Sequence, residues 1–431
     1  MNNQIQRSLK MVLIILLVGA FSPPVLFASS QCEISDENPA NEGFSAARLE
    51  RMDMAMQEEI DGNKKAGIIV LIARHGKIVY HKAFGMANIE AGKPMQPDSL
   101  VRMYSMTKPI TSVALLSLYE QGKFQLTDTL EQYIPEMEGL QVFTGVDDDG
   151  NLLTEHPKRK PTILDVFRHT AGFSYGMGES PVDNAYKKVG IDFATLNSLQ
   201  ELAVEKLPKV PLLFHPGERW KYSVAHDVQA YLVEYFSGMP FDEYLKKTIF
   251  EPLGMTDTFF GVPEEYVSRY TANYGPGENG GLKLIENQDG TDSESEFGGY
   301  ARYTDIPFGG LGLSSTAMDY AKFSQMLVNG GELNGARILG KKTVELMTMN
   351  HLPSDKVIAP GIGYGLGVSS LLQPAGNLGS KGNFGWGGAA TTSVIMDPEE
   401  YMVAILLTQY MPLDIGFISK WQTLVYQSVV E

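Results

Sequence analysis

Ser105-Met106-Thr107-Lys108 sets a hydroxyl and an amine three residues apart, on one face of a helix with Cβ atoms about 5–6 Å apart. A hydroxyl is a poor nucleophile until a neighbour takes its proton. A lysine held in a dry, low-dielectric site favours its neutral form and can serve as that base. Ser-x-x-Lys occurs once in the chain, where an apolar helical pattern opens. The bare spacing also fits an ordinary helix start, with Ser105 near its N-cap and a solvated Lys108.

A second serine competes. Gly172-Phe173-Ser174-Tyr175-Gly176 matches Gly-x-Ser-x-Gly, the nucleophile elbow of α/β-hydrolases. That elbow needs a strand before the serine and a helix after it. Here residues 163–169 read as helical and residues 178–181 as loop, so Ser174 reads as a turn residue. The seven histidines are scattered, and none falls in a metal-ligand spacing. His226, early in a helix, reads as structural. No glycine-rich phosphate loop follows a strand, so neither a metal nor a nucleotide cofactor is expected.

The elements that must position these residues fall into three blocks. Residues 50–60 read as a helix, and the β-branched run 67–73 and residues 77–83 read as a hairpin around Arg74-His75-Gly76. From Ser105 to Gln121 apolar residues recur at three- and four-residue spacing, the mark of a helix. Helices then dominate, at 163–168, 225–236, 241–249 and 317–328, interrupted by loops at 145–160 and 274–299. Residues 364–370, 391–396 and 402–407 return to strands, and 415–429 close the chain as a helix. This order predicts an α/β (α+β) fold. An antiparallel sheet built from both ends of the chain is flanked by helices, with an all-helical subdomain inserted at about 120–300.

Composition excludes some functions. The 431 residues are 43% hydrophobic with a formal charge of −16, so nucleic acid is not an expected partner. Arg7 and Lys10 precede an apolar run at 11–21, then Pro23, Pro24 and a small-residue stretch, the layout of a secretory signal over residues 1–28. The apolar run is shorter than the roughly 20 residues a spanning helix needs. The mature chain is expected to be exported, periplasmic or secreted, with residues 29–45 a flexible tether before a domain at 46–431. Membrane association would require retention of the leader or a lipid on Cys32. Cys32 is the only cysteine, so no intrachain disulfide can form.

Further motifs stand in order beyond the Ser-x-x-Lys pair. Gly122-Lys123-Phe124-Gln125-Leu126-Thr127-Asp128 is followed by Arg168-His169-Thr170-Ala171-Gly172 and Pro216-Gly217-Glu218-Arg219-Trp220-Lys221-Tyr222-Ser223. Gly310-Leu311-Gly312-Leu313-Ser314-Ser315 and Phe384-Gly385-Trp386-Gly387-Gly388-Ala389 come later. From about residue 46 onward this set resembles the class C β-lactamase-like (penicillin-binding-protein-like) serine hydrolases, which include D,D-peptidases and the family VIII carboxylesterases.

The resemblance implies an active site between the sheet domain and the helical subdomain. It implies Ser105 as nucleophile, Lys108 as general base and Tyr222 as proton relay. It further implies N–H groups of Ser105 and Ala389 as an oxyanion hole, of the kind worth about 3 kcal/mol per donor. The segment Trp386-Gly387-Gly388 would be a substrate-binding strand. Two positions depart from the lactamase pattern. Val224 stands where an asparagine contacts the substrate amide, and Trp386 where a lysine holds a carboxylate, unless Lys381 supplies that charge. Both departures are similar to the esterase branch, so small uncharged esters are the expected substrates. β-Lactams or peptidoglycan peptides are the alternative. Acyl transfer to a metabolite, or a binding module that turns over poorly, remains open.

Overall fold

The structure is a computed structural model that describes residues 34–287, 306–353, 355–374, 376 and 378–431. The leader at 1–28, with Arg7 and Lys10, and Cys32 lie outside the described residues, as does part of the loop at 274–299.

One nine-stranded sheet organises the molecule. Its main path uses β1 (Ser35–Asp36), β2 (Gly67–Arg74), β3 (Lys77–Asn88), β4 (Ile362–Tyr364), β5 (Ser369–Leu371), β6 (Phe384–Gly388), β7 (Thr392–Asp397) and β8 (Met402–Thr408). They lie in the order β1-β3-β2-β8-β7-β6-β5-β4, and Lys93–Pro94 pairs with β3 off this path. The two ends of the chain therefore meet at β2 and β8, antiparallel from Met402↔Arg74 to Thr408↔Ile68. Ile68 to Ala73 are fully buried. An unbroken apolar run is what a strand covered on both faces requires.

The covers are helices. On one face lie α1 (Ala46–Asp61) and, at the C-terminus, α5 (Ile415–Tyr426), through Met52, Met56, Phe417 and Trp421. On the other lies α4 (Ala317–Val328). Between α1 and α4 in sequence come α2 (Thr107–Glu120) and α3 (Ala225–Ser237), packed on each other. Residues 107–116 of α2 are all buried. Such a helix belongs in the interior of a large domain, and Lys108 goes in with it.

Three expectations differ from the structure. The loop expected at 145–160 begins as a hairpin, Val142–Val146 against Leu152–Glu155, turned at Asp147, which accepts from the N–H groups of Asp149 and Asn151. Asn273–Pro276 and Leu282–Glu286 form a second hairpin, so the insert at about 120–300 is not purely helical. The tether expected at 29–45 is ordered from Ile34: β1 pairs parallel with β3, Arg74 binds the carbonyl of Glu42 at 2.9 Å, and Phe44 is buried. Its polar composition hid backbone and side-chain partners supplied from elsewhere in the chain.

Candidate active site

Ser105 is held by a strand, a strained residue and a helix. The strand Val101–Arg102 pairs antiparallel with Leu313–Ser315. Arg102, wholly buried, anchors it: the guanidinium donates to the carbonyls of Thr271 at 2.5 Å and Asn287 at 2.8 Å and pairs with Glu286 at 3.2 Å. Tyr104 then adopts φ +45, a region that disfavours a bulky side chain. It is kept there by burial and by Asn273, whose amide donates to its hydroxyl at 3.1 Å. The chain thus turns sharply through Tyr104–Met106 and presents Ser105 at the mouth of α2.

One turn on, Lys108 Nζ lies 3.0 Å from Ser105 Oγ and donates to the Gly310 carbonyl at 2.5 Å. Burial pushes the ammonium down to about 7, against an upward pull from Asp227. Asp227 is buried in α3. Its Oδ1 accepts the Gly310 N–H at 2.8 Å, and burial raises its carboxyl to about 6 against the pull of Lys108. A lysine that sheds its proton near neutrality, at hydrogen-bond distance from a serine, has the properties of a base.

Tyr222 faces the same amine, whose Nζ lies 4.6 Å from its ring centre. Its hydroxyl is hydrogen-bonded by Ser105, by Tyr175 and by Trp386 Nε1, the last at 3.3 Å. Burial raises the phenol, while these hydrogen bonds act the other way. The motif at 168–172 sets this position: Lys221 N–H binds the His169 carbonyl at 3.0 Å and His169 Nδ1 lies 3.1 Å from Ser223 Oγ. Thr170 is tied to Asp165 at 2.7 Å, and Asp165 takes the fork of Arg159 at 2.5 and 2.8 Å.

The wall opposite is β6. The Trp386 ring lies 5.6 Å from that of Tyr222, tilted by 37°, and meets that of Tyr364 edge-on at 5.2 Å. A Cβ on Gly388 would lie 2.4 Å from the carbonyl of Met103, so only glycine lets β6 end this close to the Ser105 turn. Ser105, Tyr222, Trp386, Gly387, Gly388 and Ala389 line one cavity of about 660 Å³. Val224 is buried at the start of α3 and Lys381 is exposed, and neither lines it.

Ser174 stands apart from this chemistry. A helix, Ile163–Phe167, precedes it, and its hydroxyl donates to Asp183 at 2.5 Å, tying a turn to the helix Pro181–Lys188. His226 packs on His169 with ring centres 4.7 Å apart. Asp227, Tyr175 and Tyr104 are site residues that sequence reasoning missed. Only Tyr175 carried a signal, inside the misleading elbow motif. Among the described residues no group of three or more His, Cys, Asp or Glu could hold a metal, and no helix is long and apolar enough to cross a membrane.

A sheet flanked by helices, a serine–lysine pair at a helix start and a facing tyrosine define a serine hydrolase of the β-lactamase/transpeptidase type. The chain belongs to the Beta-lactamase family, whose model matches residues 51–422. It is similar to Protein Rv1367c of Mycobacterium tuberculosis (strain ATCC 25618 / H37Rv), at 30% identity over 84% of this chain and 90% of that protein. It is also similar to Esterase EstB of Burkholderia gladioli, at 27% identity over 84% and 91% of the two chains. Among solved structures, EstCE1, "a hydrolase with promiscuous acyltransferase activity", superposes with a TM-score of 0.74 at 27% identity, covering 88% of this chain and 98% of the other. The chain is thus a serine hydrolase, related to carboxylesterases and β-lactamases.

Proposed function

We propose that the protein cleaves uncharged carboxylic esters through a Ser105 acyl-enzyme. One observation carries the choice of substrate: every described residue that lines the cavity around Ser105 is uncharged. A β-lactam or a peptide terminus presents a carboxylate, and a charge-assisted contact to it contributes about 1.5–3 kcal/mol. No described lining residue offers that contact, whereas Trp386 offers apolar area.

In this reading neutral Lys108 takes the Ser105 proton as Oγ attacks the ester carbon. The Gly310 carbonyl engages one N–H of the amine and leaves its lone pair for the serine. The tetrahedral oxyanion lies against the N–H groups of Ser105 and Ala389. Tyr222 passes a proton to the departing alkoxide, drawing on Lys108. Water then attacks the acyl-enzyme with its proton leaving by the same route, and Ser105 is restored. An alcohol in place of water would give acyl transfer, a variant supported by the likeness to EstCE1.

p-Nitrophenyl butyrate tests the reading. Turnover should be abolished by Ser105→Ala and survive Ser174→Ala, and the reverse pattern would move the site to the elbow motif. Nitrocefin or a D-Ala-D-Ala peptide processed faster than the ester would favour the lactamase or peptidase alternative. Export is proposed on the leader pattern at residues 1–28. A mature N-terminus near Ser29 supports cleavage, and a lipid-sized mass on Cys32 would make the protein membrane-anchored.

A further inference from the structure

We infer that the acyl group this site accepts is an extended apolar chain of about eight or more carbons, which crosses the edge of β6 and lies against α5. This rests on the ester-hydrolase reading above and names its substrate class, larger than the small esters expected from sequence.

β5 pairs with β6 only at Ser370↔Phe384 and Ser369↔Gly385. Among the described residues, no strand pairs with Trp386–Gly388 on that side, so this edge opens into the cavity. Along β6 the side chains alternate. Trp386 points to Tyr222 and Tyr364, so Gly385 and Gly387 present the other face, opposite Ile395 and Ser393 of β7. Ile395 packs with the apolar residues of α1 and α5, while its neighbour Val394 packs in the core on the opposite side. The cavity that begins at Ser105 thus passes over two residues without side chains to the α5 face of the sheet.

Ile395, Leu413, Ile415 and Ile418 line it there, with Gln422 at the end and Ser393 and Asn383 as polar members beside β6. Leu413 and Ile415 are 43% and 68% exposed. Single exposed aliphatics need no explanation, but these continue the cavity that holds the nucleophile. From Ile415 to Gln422 the helix rises about 10 Å, roughly the length of eight methylenes. Tyr222, the proton donor to the leaving group in this reading, sits among the rings of Tyr175 and Trp220, 5.4 and 6.1 Å away, on the face of β6 that carries Trp386. The leaving alcohol therefore occupies the aromatic lobe, and the acyl chain the lobe at α5.

The experiment is a series of p-nitrophenyl esters from C4 to C12, each below its micellar concentration, on the full chain and on Ile415→Asp/Ile418→Ser. Asp at the start of α5 suits the helix dipole while charging the lobe. With each buried methylene contributing up to about fourfold, kcat/KM for C10 should exceed that for C4 at least tenfold. The double variant should cut the C10/C4 ratio at least fivefold. A flat or falling series, with C4 still cleaved through Ser105, overturns the inference and leaves the esterase reading standing. A rising series whose ratio the double variant does not change puts the chain elsewhere and also overturns it. No turnover of any ester overturns both.

Discussion

Lys108 and Asp227 are bound to the same residue. The Gly310 carbonyl accepts from Lys108 Nζ at 2.5 Å, and the Gly310 N–H donates to Asp227 at 2.8 Å. The amine is thereby fixed in position against Ser105 while a carboxylate modulates its proton affinity from behind.

In the proposed mechanism Lys108 acts only when neutral, and burial pushes its ammonium down to about 7. Ester kcat/KM should therefore rise with pH through about 7 and then level. Asp227 raises the lysine, so Asp227→Asn removes that support and lowers it further. The acidic limb of the profile should move to lower pH. A limb that moves upward would contradict the arrangement.

With Tyr222 as the proposed proton relay, Tyr222→Phe should cost at least about 100-fold in kcat, the lower range for loss of a positioned proton donor. Trp386→Phe keeps the ring but removes the 3.3 Å donor to Tyr222, and a loss of about two- to tenfold is expected. Steady-state kinetics on one ester separates the two effects.

Trp386→Lys places a cation in a cavity whose described lining has none. The ratio of kcat/KM for nitrocefin to that for p-nitrophenyl butyrate should rise at least tenfold, as a charge-assisted contact becomes available. An unchanged ratio would show that charge at this position does not set the preference.

Gly388→Ala should damage catalysis more than folding. The new methyl would stand 2.4 Å from the Met103 carbonyl and 2.3 Å from Thr392 Oγ1, forcing the end of β6 away from Ser105. A shift of about 1 Å can cost about 100-fold in rate. Kinetics and a urea melt of the same variant compare the two losses.

The Arg102–Glu286 pair is fully buried. Arg102→Met takes the guanidinium away from that buried carboxylate and should destabilise by about 3–5 kcal/mol. Arg102→Met/Glu286→Leu should recover part of that loss in urea unfolding. A double variant no more stable than the single would show that the carbonyl contacts of Arg102, rather than its charge, matter.

Features that depend on neighbours in the chain could be read directly from the residues. Helical geometry puts Ser105 and Lys108 on one face whatever surrounds them. The runs at 67–73 and 402–407 announced strands, and the pattern at 317–328 matched α4 residue for residue. Ser174 was separable from the site because its flanking segments fail to form an elbow.

The remaining features come from packing between distant segments. Whether Lys108 carries a proton depends on burial in α2, on Asp227 and on a carbonyl 202 residues away, none of which lies in its own segment. Asp227 shows no sequence signal, because a carboxylate in a helix is ordinary until the fold removes its water. The strained Tyr104 and the open edge of β6 arise the same way, from partners distant in sequence. Local pattern sets the direction in which a side chain points, whereas its electrostatic environment is a sum over whatever the fold brings within reach.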